Sequence, residues 1–292
     1  MPTATGVKPN AAVLAAVKKV SAIATLPEIT TKIIATVEDP NSNAASLHKI
    51  ISHDPALVAR VMKVVNSAFY GLPGQIASIE RAIVLLGLNA IKNIAVSASL
   101  GQLFRGVKLC EGYSAKDLWK HCVAVGVAAR DLAKQMKFPL ADETFLAGMV
   151  HDVGILVALQ TMPDKLREVC DAACSSDREF CEIEAEIMGM DHQHLGMALA
   201  ELWKFPRSIQ LVAGYHHCPT TLAEEHALLV SLVHVADSLV CEEGGNYGFN
   251  LTAKQQKLDP AKLAELHIDG GIVEQTRAAL PNLVQECSAI FG

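Results

Sequence analysis

The stretch AIVLLGLNAIKNIAVSASL, residues 82–100, decides the fold class. Its apolar residues recur at intervals of three and four, the repeat of a helix with a buried face. The reading predicts a long helix ending near Phe104. The same repeat runs through AAVLAAVKKVSAI (11–23), LVARVMKVV (57–65) and LAELW (199–203). Alternating β-type runs joined by hairpin turns are absent. Pro27 stops the first helical pattern, DPNSN (39–43) precedes the next, and HDP (53–55) separates two short helices. Gly71, Pro73 and Gly74 lead into Ser78, which has the chemistry of an N-cap. The expectation is an all-α chain of many short helices.

Bulk properties narrow the function classes. The 292 residues suffice for one large domain or two modest ones. A composition 51% hydrophobic and 19% charged predicts extensive buried interfaces. A net charge of −6, with no basic stripe, argues against a nucleic-acid partner. No apolar run reads as long and charge-free enough to span a bilayer, so no membrane is expected. The start, MPTATGVKPN, lacks the apolar centre of a signal peptide. The eight cysteines show no CxxC and no framework spacing, which suits reduced thiols and a cytoplasmic location. Cys170, Cys174 and Cys181 cluster loosely; they read as small buried hydrophobes before they read as a zinc knuckle.

Histidine is unevenly placed. Residues 1–105 hold two, His48 and His53, and the rest of the chain holds nine. A boundary is therefore expected near GVKLCEGYS (106–114), dividing the chain into 1–105 and 106–292. In AGMVHDVGIL (147–156), His151 and Asp152 stand side by side in an apolar run. Desolvating both is costly unless something pairs with them. A divalent metal would do so, since imidazole and carboxylate are ordinary ligands for zinc, iron or manganese. Further candidates follow along the chain: His121 on an apolar-flanked helix, His192 near a helix start, His216 and His217 at a helix end, and Asp237 on another apolar helix. Each has a plain structural explanation alone. As the ordered series H…HD…H…HH…D they are far more specific.

That series resembles the HD superfamily of metal-dependent phosphohydrolases. NSAFYGLPGQIASIERAIVLLGLNAIKNIAV (66–96) is similar to the signature of its HDOD branch, an output domain of bacterial signalling proteins. LPEI (26–29), DPALVARVMKVVNSAFYG (54–71) and DHQHLGMALAELWKFP (191–206) resemble it too. The resemblance implies an N-terminal helical bundle packed on an HD-like helical domain with C-terminal helices. It further implies divalent ions, two in the binuclear branch, of iron, manganese, zinc or magnesium. His121, His151, Asp152 and Asp237 match the basic ligands, and Asp152, the residue assigned to catalysis, would bridge to a second ion on His192, His216 and His217. His192 matches better than His194 because it stands four residues before Gly196. Asp117, four residues before His121 on the same helix face, is an additional candidate ligand.

Two departures bear on activity. The phosphodiesterase branch carries a lysine in HD-x-G-K that steadies the substrate phosphate; here that place is Ile155. The GYP segment after the paired histidines is replaced by HHCPTTLAEE (216–225). Both argue against hydrolysis of cyclic di-GMP. Lys120, Lys204 and Arg207 read as solvated surface rather than substrate contacts. Three readings stay open: a phosphohydrolase of a nucleotide or small phosphoester, a signalling module that binds a partner protein or ligand, and a metal-free descendant. Phe69 and Tyr70 in NSAFYG read as core at a helix end, with a partner surface or inter-domain seam as the alternative.

Overall fold

The computed structural model describes residues 28–39, 41–104, 108–254 and 256–291. The expected helix at 11–23, Pro27, the start of LPEI and residues 106–107 of the expected boundary lie outside them. Among the described residues the regular elements are helices, apart from one antiparallel pairing of β1 (Lys108–Cys110) with β2 (Tyr113–Ser114). The all-α expectation holds.

Short helices begin where the sequence supplies caps. α1 (Glu28–Glu38) is followed by α2 (Ala44–Ser52), whose N-cap Asn43 accepts the Ser46 amide at 3.1 Å. Asp54 accepts the Ala56 and Leu57 amides to start α3 (Pro55–Val65), with Pro55 in the first turn, where no amide proton is needed. Ser78 caps α4 (Ile79–Leu86) through the Arg81 amide. The long helix expected over 82–100 is in fact two. Gly87 adopts φ +88°, ending α4 and starting α5 (Leu88–Leu100), and only the 3₁₀ turn Gly101–Phe104 carries the chain on to Phe104. From Ala90 to Leu100 every residue of α5 is buried.

The second half is built around α6 (Ala115–Gln135), α7 (Ala141–Val150) and α8 (Val153–Thr161). Gly126 of α6 faces Gly148 of α7 so closely that a Cβ on Gly148 would lie 2.7 Å from the Gly126 Cα. Helix backbones can touch there only because neither residue carries a side chain. α9 (Pro163–Cys174), α10 (Phe180–Met188), α11 (His192–Leu202), α12 (Arg207–Tyr215) and α13 (Glu224–Glu242) follow. α14 (Pro260–Glu265) and α15 (Gly270–Phe291) finish the chain, and α15 returns to pack on α3 and α6. One hydrophobic core runs without a break from Ile33 to Cys287.

Ala141–Thr161 corrects one expectation. Its 21 residues are apolar and long enough to cross a membrane by length and composition, but 89% of the window is buried inside the protein. It is a buried core segment, α7 and α8 in succession through the turn at His151–Asp152. Phe69 and Tyr70 are buried, as expected, and they also form a seam with α6. The Arg130 guanidinium stacks over both rings at 4.1 and 4.2 Å, donates to the Phe69 carbonyl at 3.0 Å and pairs with Asp142 at 2.9 Å. A buried arginine so paired ties the NSAFYG turn to the second half of the chain.

Candidate metal centre

Helix ends bring the predicted ligands together. His121 projects from the second turn of α6, and Asp237 from the middle of α13. His151 and Asp152 form the turn between α7 and α8, where the Ile155 amide donates to the Asp152 carbonyl at 3.0 Å. His192 is the first residue of α11 because Asp191 caps that helix. His216 caps the C-terminus of α12, and His217 follows in the turn. His121, His151, Asp152, His192, His216 and Asp237 are fully buried, and His217 nearly so.

Their atoms form two adjoining clusters that share Asp152. In the first, His121 Nε2 lies 3.3 Å from His151 Nε2 and 3.1 Å from Asp237 Oδ1. Asp152 Oδ2 is 3.2 Å from His151 Nε2 and 3.6 Å from His121 Nε2. In the second, His192 Nε2 lies 3.3 Å from His216 Nε2 and 3.1 Å from His217 Nε2. Asp152 Oδ1 is 3.4 Å from both His192 and His216. Ligands bonded at about 2.1 Å to one tetrahedral or octahedral ion stand roughly 3.0–3.4 Å apart. Most of the observed edges have that length, with His121–Asp152 at 3.6 Å and His151–Asp237 at 3.8 Å somewhat longer.

The opposite ring edges decide the protonation pattern. His151 Nδ1 donates to the Gly148 carbonyl at 2.7 Å, and His216 Nδ1 to the Val212 carbonyl at 3.0 Å. His192 Nδ1 lies 2.6 Å from Glu184 Oε2, and the Gln256 carboxamide lies 3.0 Å from His217 Nδ1. A neutral imidazole that donates through Nδ1 presents a lone pair at Nε2. Lone pairs on the facing Nε2 atoms of His192 and His216, 3.3 Å apart, repel unless a proton or a metal ion lies between them. Neither Asp152 oxygen, nor Asp237 Oδ2, accepts a well-formed hydrogen bond. Among the described residues, the ion pairs of these two aspartates are all with histidines. Orphaned buried oxygens opposite orphaned nitrogen lone pairs are the donor set a divalent cation fits.

Burial opposes charge throughout the cluster. It holds His216 below its ordinary value and His217 well below, His217 being lowered further by His216 and His192. Burial also pushes the carboxylates up, yet His151, His216 and His192 keep Asp152 well below the usual carboxylate range. His121 and His151 do the same for Asp237. Against its own burial, His192 is raised to about 10, chiefly by Glu184.

Asp117 does not join either cluster. Its Oδ2 accepts the Ser114 amide at 2.7 Å and the Ser114 hydroxyl at 2.6 Å, closing a capping box at the start of α6. Sharing a helix face with His121 was not enough, because the first turn had a local use for the carboxylate. His194 is half-exposed and pairs with Asp191, whereas His192 lies in the second cluster. Cys181 approaches Glu184 and His192, whereas Cys170 is buried near Cys110.

The sequence reading missed the groups that hold the histidines. Glu184 carried a signal: with Phe180 and Met188 it makes a stripe spaced by four on α10, and a carboxylate in such a stripe is buried. His234 stands three residues before Asp237 and donates to the His216 carbonyl at 2.7 Å. Gln193 accepts the His217 amide at 3.0 Å. Gln256 arrives from a loop and carried no periodic signal.

Comparison with known proteins agrees with this architecture. The HDOD domain family matches residues 23–219. An uncharacterized protein of Treponema pallidum (strain Nichols) is 25% identical over 223 residues, which are 76% of this chain and 43% of that relative. The chain thus spans less than half the length of that curated relative. A candidate phosphohydrolase of Shewanella amazonensis SB2B superposes with a TM-score of 0.75 at 22% identity, covering 97% of this chain and 98% of that one. A candidate signal transduction protein of Marinobacter aquaeolei VT8 gives a TM-score of 0.73 at 23% identity, covering 96% and 65% respectively. At these identities the two structures speak to the fold, while the match over residues 23–219 speaks to the family. The chain belongs to the HDOD family.

Proposed function

We propose that this HDOD protein is a metal-dependent phosphohydrolase acting on a nucleotide or small phosphoester. One observation carries the reading: two sets of inward Nε2 atoms face each other and the oxygens of Asp152 at 3.1–3.6 Å, with their Nδ1 edges mostly engaged outside. His121, His151, Asp152 and Asp237 would hold one ion, and Asp152, His192, His216 and His217 the other. Five imidazoles and two carboxylates suit iron, manganese or zinc better than magnesium, which prefers an all-oxygen shell. Divalent ions held there would supply positive charge able to polarise a phosphoryl oxygen and to make water nucleophilic near neutral pH. Asp152 offers one oxygen to each cluster and fixes their relation. Glu184 keeps the His192 ring oriented, and the Gly148 and Val212 carbonyls do so for His151 and His216.

Ile155 favours a second reading. It is fully buried where the phosphodiesterase branch has its lysine, so no cation reaches substrate from that position. A module that binds ligand or a partner signalling protein without turnover would tolerate the exchange. The discriminating experiment loads the protein with iron, manganese or zinc and measures phosphate release from p-nitrophenyl phosphate, nucleoside phosphates and cyclic di-GMP. The hydrolase reading expects release from at least one monoester, abolished in Asp152→Asn, and negligible turnover of cyclic di-GMP. Metal-loaded protein inert toward the whole panel would hand the function to the regulatory reading. Cyclic di-GMP turnover on the order of one per second or faster would overturn the substrate assignment.

A further inference from the structure

The proposed activity needs a way in and a cation for the substrate phosphate, and the canonical cation is absent. A surface cavity of about 580 Å³ meets both needs. Of the seven clustered residues, the one that lines it is His217. Gln193 and Gln256, which hold the His217 amide and ring, line it too. Lys257 and Lys262 bring positive charge to a wall that also carries Glu179, Glu182 and Asp259. Lys257 is exposed and follows directly on Gln256, so its place is fixed by a residue already touching the candidate metal centre. Among the described residues the Lys262 ammonium pairs with Glu265, at 3.3 Å and partly exposed, a partnership worth little and readily exchanged for a phosphate. Asp259, which lines the same cavity, caps α14 by accepting the Lys262 amide at 2.8 Å.

We infer that this cavity is the substrate mouth and that Lys257 and Lys262 hold the phosphate of a nucleoside monophosphate beside His217. The inference rests on the phosphohydrolase reading for its chemistry and on the cavity for its location. The lysines would do from the C-terminal segment what a lysine at the Ile155 position cannot. Glu179 and Glu182, contributed by the start of α10 and the turn before it, also line the cavity. Carboxylates accept hydrogen bonds from hydroxyls, so a ligand carrying a phosphate at one end and a sugar diol at the other matches the mixed wall. The volume lies inside the usual 300–1,000 Å³ of small-molecule sites.

The test is calorimetric binding of AMP, inorganic phosphate and adenosine to the metal-loaded full chain, with metal content measured on each sample. Parent protein should bind AMP more tightly than either phosphate or adenosine. Lys257→Ala and Lys262→Ala should each weaken AMP binding by about tenfold, a typical loss for one charged contact, with metal content unchanged. Lys257→Arg should retain most of the affinity, and Lys120→Ala, on an exposed face of α6, should behave as parent. AMP binding that is undetectable in the parent, or equal in parent and both alanine variants, overturns the inference even if metal is bound. Parent protein that carries no metal yet binds AMP through the two lysines would leave the mouth assigned and remove the hydrolase reading.

Discussion

Replacing Gly154 by alanine should uncouple the two clusters. Gly154 lies two residues after Asp152, where α8 crosses the start of α11. A Cβ there would sit 1.9 Å from the His192 carbonyl oxygen, 2.7 Å from the Gly196 amide nitrogen and 2.8 Å from the His192 carbonyl carbon. All three are backbone atoms, so no side chain can swing aside. Restoring an ordinary 3.4 Å contact requires α8 and α11 to part by about 1.5 Å. If that shift falls along the line from Asp152 Oδ1 to His192 Nε2, their separation grows from 3.4 Å to about 5 Å. Two ligands bonded at about 2.1 Å to one ion cannot stand farther apart than roughly 4.2 Å. The second cluster should therefore lose its ion, while His121, His151 and Asp237, none of them on α11, keep theirs. Overpacking against rigid backbone costs about 3 kcal/mol, which lowers the melting temperature by roughly 6 °C in a chain of this size. Elemental analysis and differential scanning calorimetry of Gly154→Ala read both effects, with Gly245→Ala, where a Cβ meets nothing within 4 Å, as the control. A Gly154→Ala protein with parental metal content and parental melting would refute the close approach and the coupling argued from it.

Further expectations concern the surrounding residues. Asp117→Ala should cost about 1 kcal/mol through the lost cap of α6 and leave metal content untouched; a lost equivalent of metal would restore Asp117 as a ligand. Glu184→Gln should weaken metal binding at the second cluster by roughly 10–100-fold while sparing the first, read by titration with a chelator of known affinity; equal loss at both would mean Glu184 acts through the fold. His234 is depressed to about 4 by burial, from 6.5. The unfolded chain therefore takes up a proton there that the folded chain refuses. The stabilisation is fully present above pH 6.5, lost progressively toward pH 4, and amounts to about 3 kcal/mol. Urea unfolding of His234→Gln should show a correspondingly shallower loss of stability than the parent over that interval; parallel pH curves would contradict the buried neutral assignment.

What was legible in the sequence was local or chemical. Asn43, Asp54 and Ser78 announced their helices because a cap needs only its own next three residues. Gly87 was misread because apolar spacing runs through it undisturbed, and only φ reveals the break. The seven clustered residues were legible as a series because buried imidazoles and carboxylates are too costly to occur together by accident. Their division into two sets sharing Asp152 came from the resemblance, since it depends on how the ends of α7, α11 and α12 converge. For Asp117, helix phase says which face the residue occupies and nothing about a local partner such as Ser114. The loop residue Gln256 had no periodic context at all, and the mouth it helps to build could be found only in three dimensions.

The central claim is that Asp152 joins two ion sites, and metal content of Asp152→Ala tests it most directly. Gently purified parent protein should carry close to two equivalents of iron, manganese or zinc. Asp152→Ala should be depleted at both sites and melt at lower temperature, because metal binding is linked to folding. The same substitution compared in chelator-treated protein should cost much less, or stabilise, by relieving the crowding of Asp152 with Asp237. Parent protein holding less than about one equivalent, together with an Asp152→Ala variant that melts like the parent, would contradict the account and leave His151 and Asp152 as a hydrogen-bonded core pair.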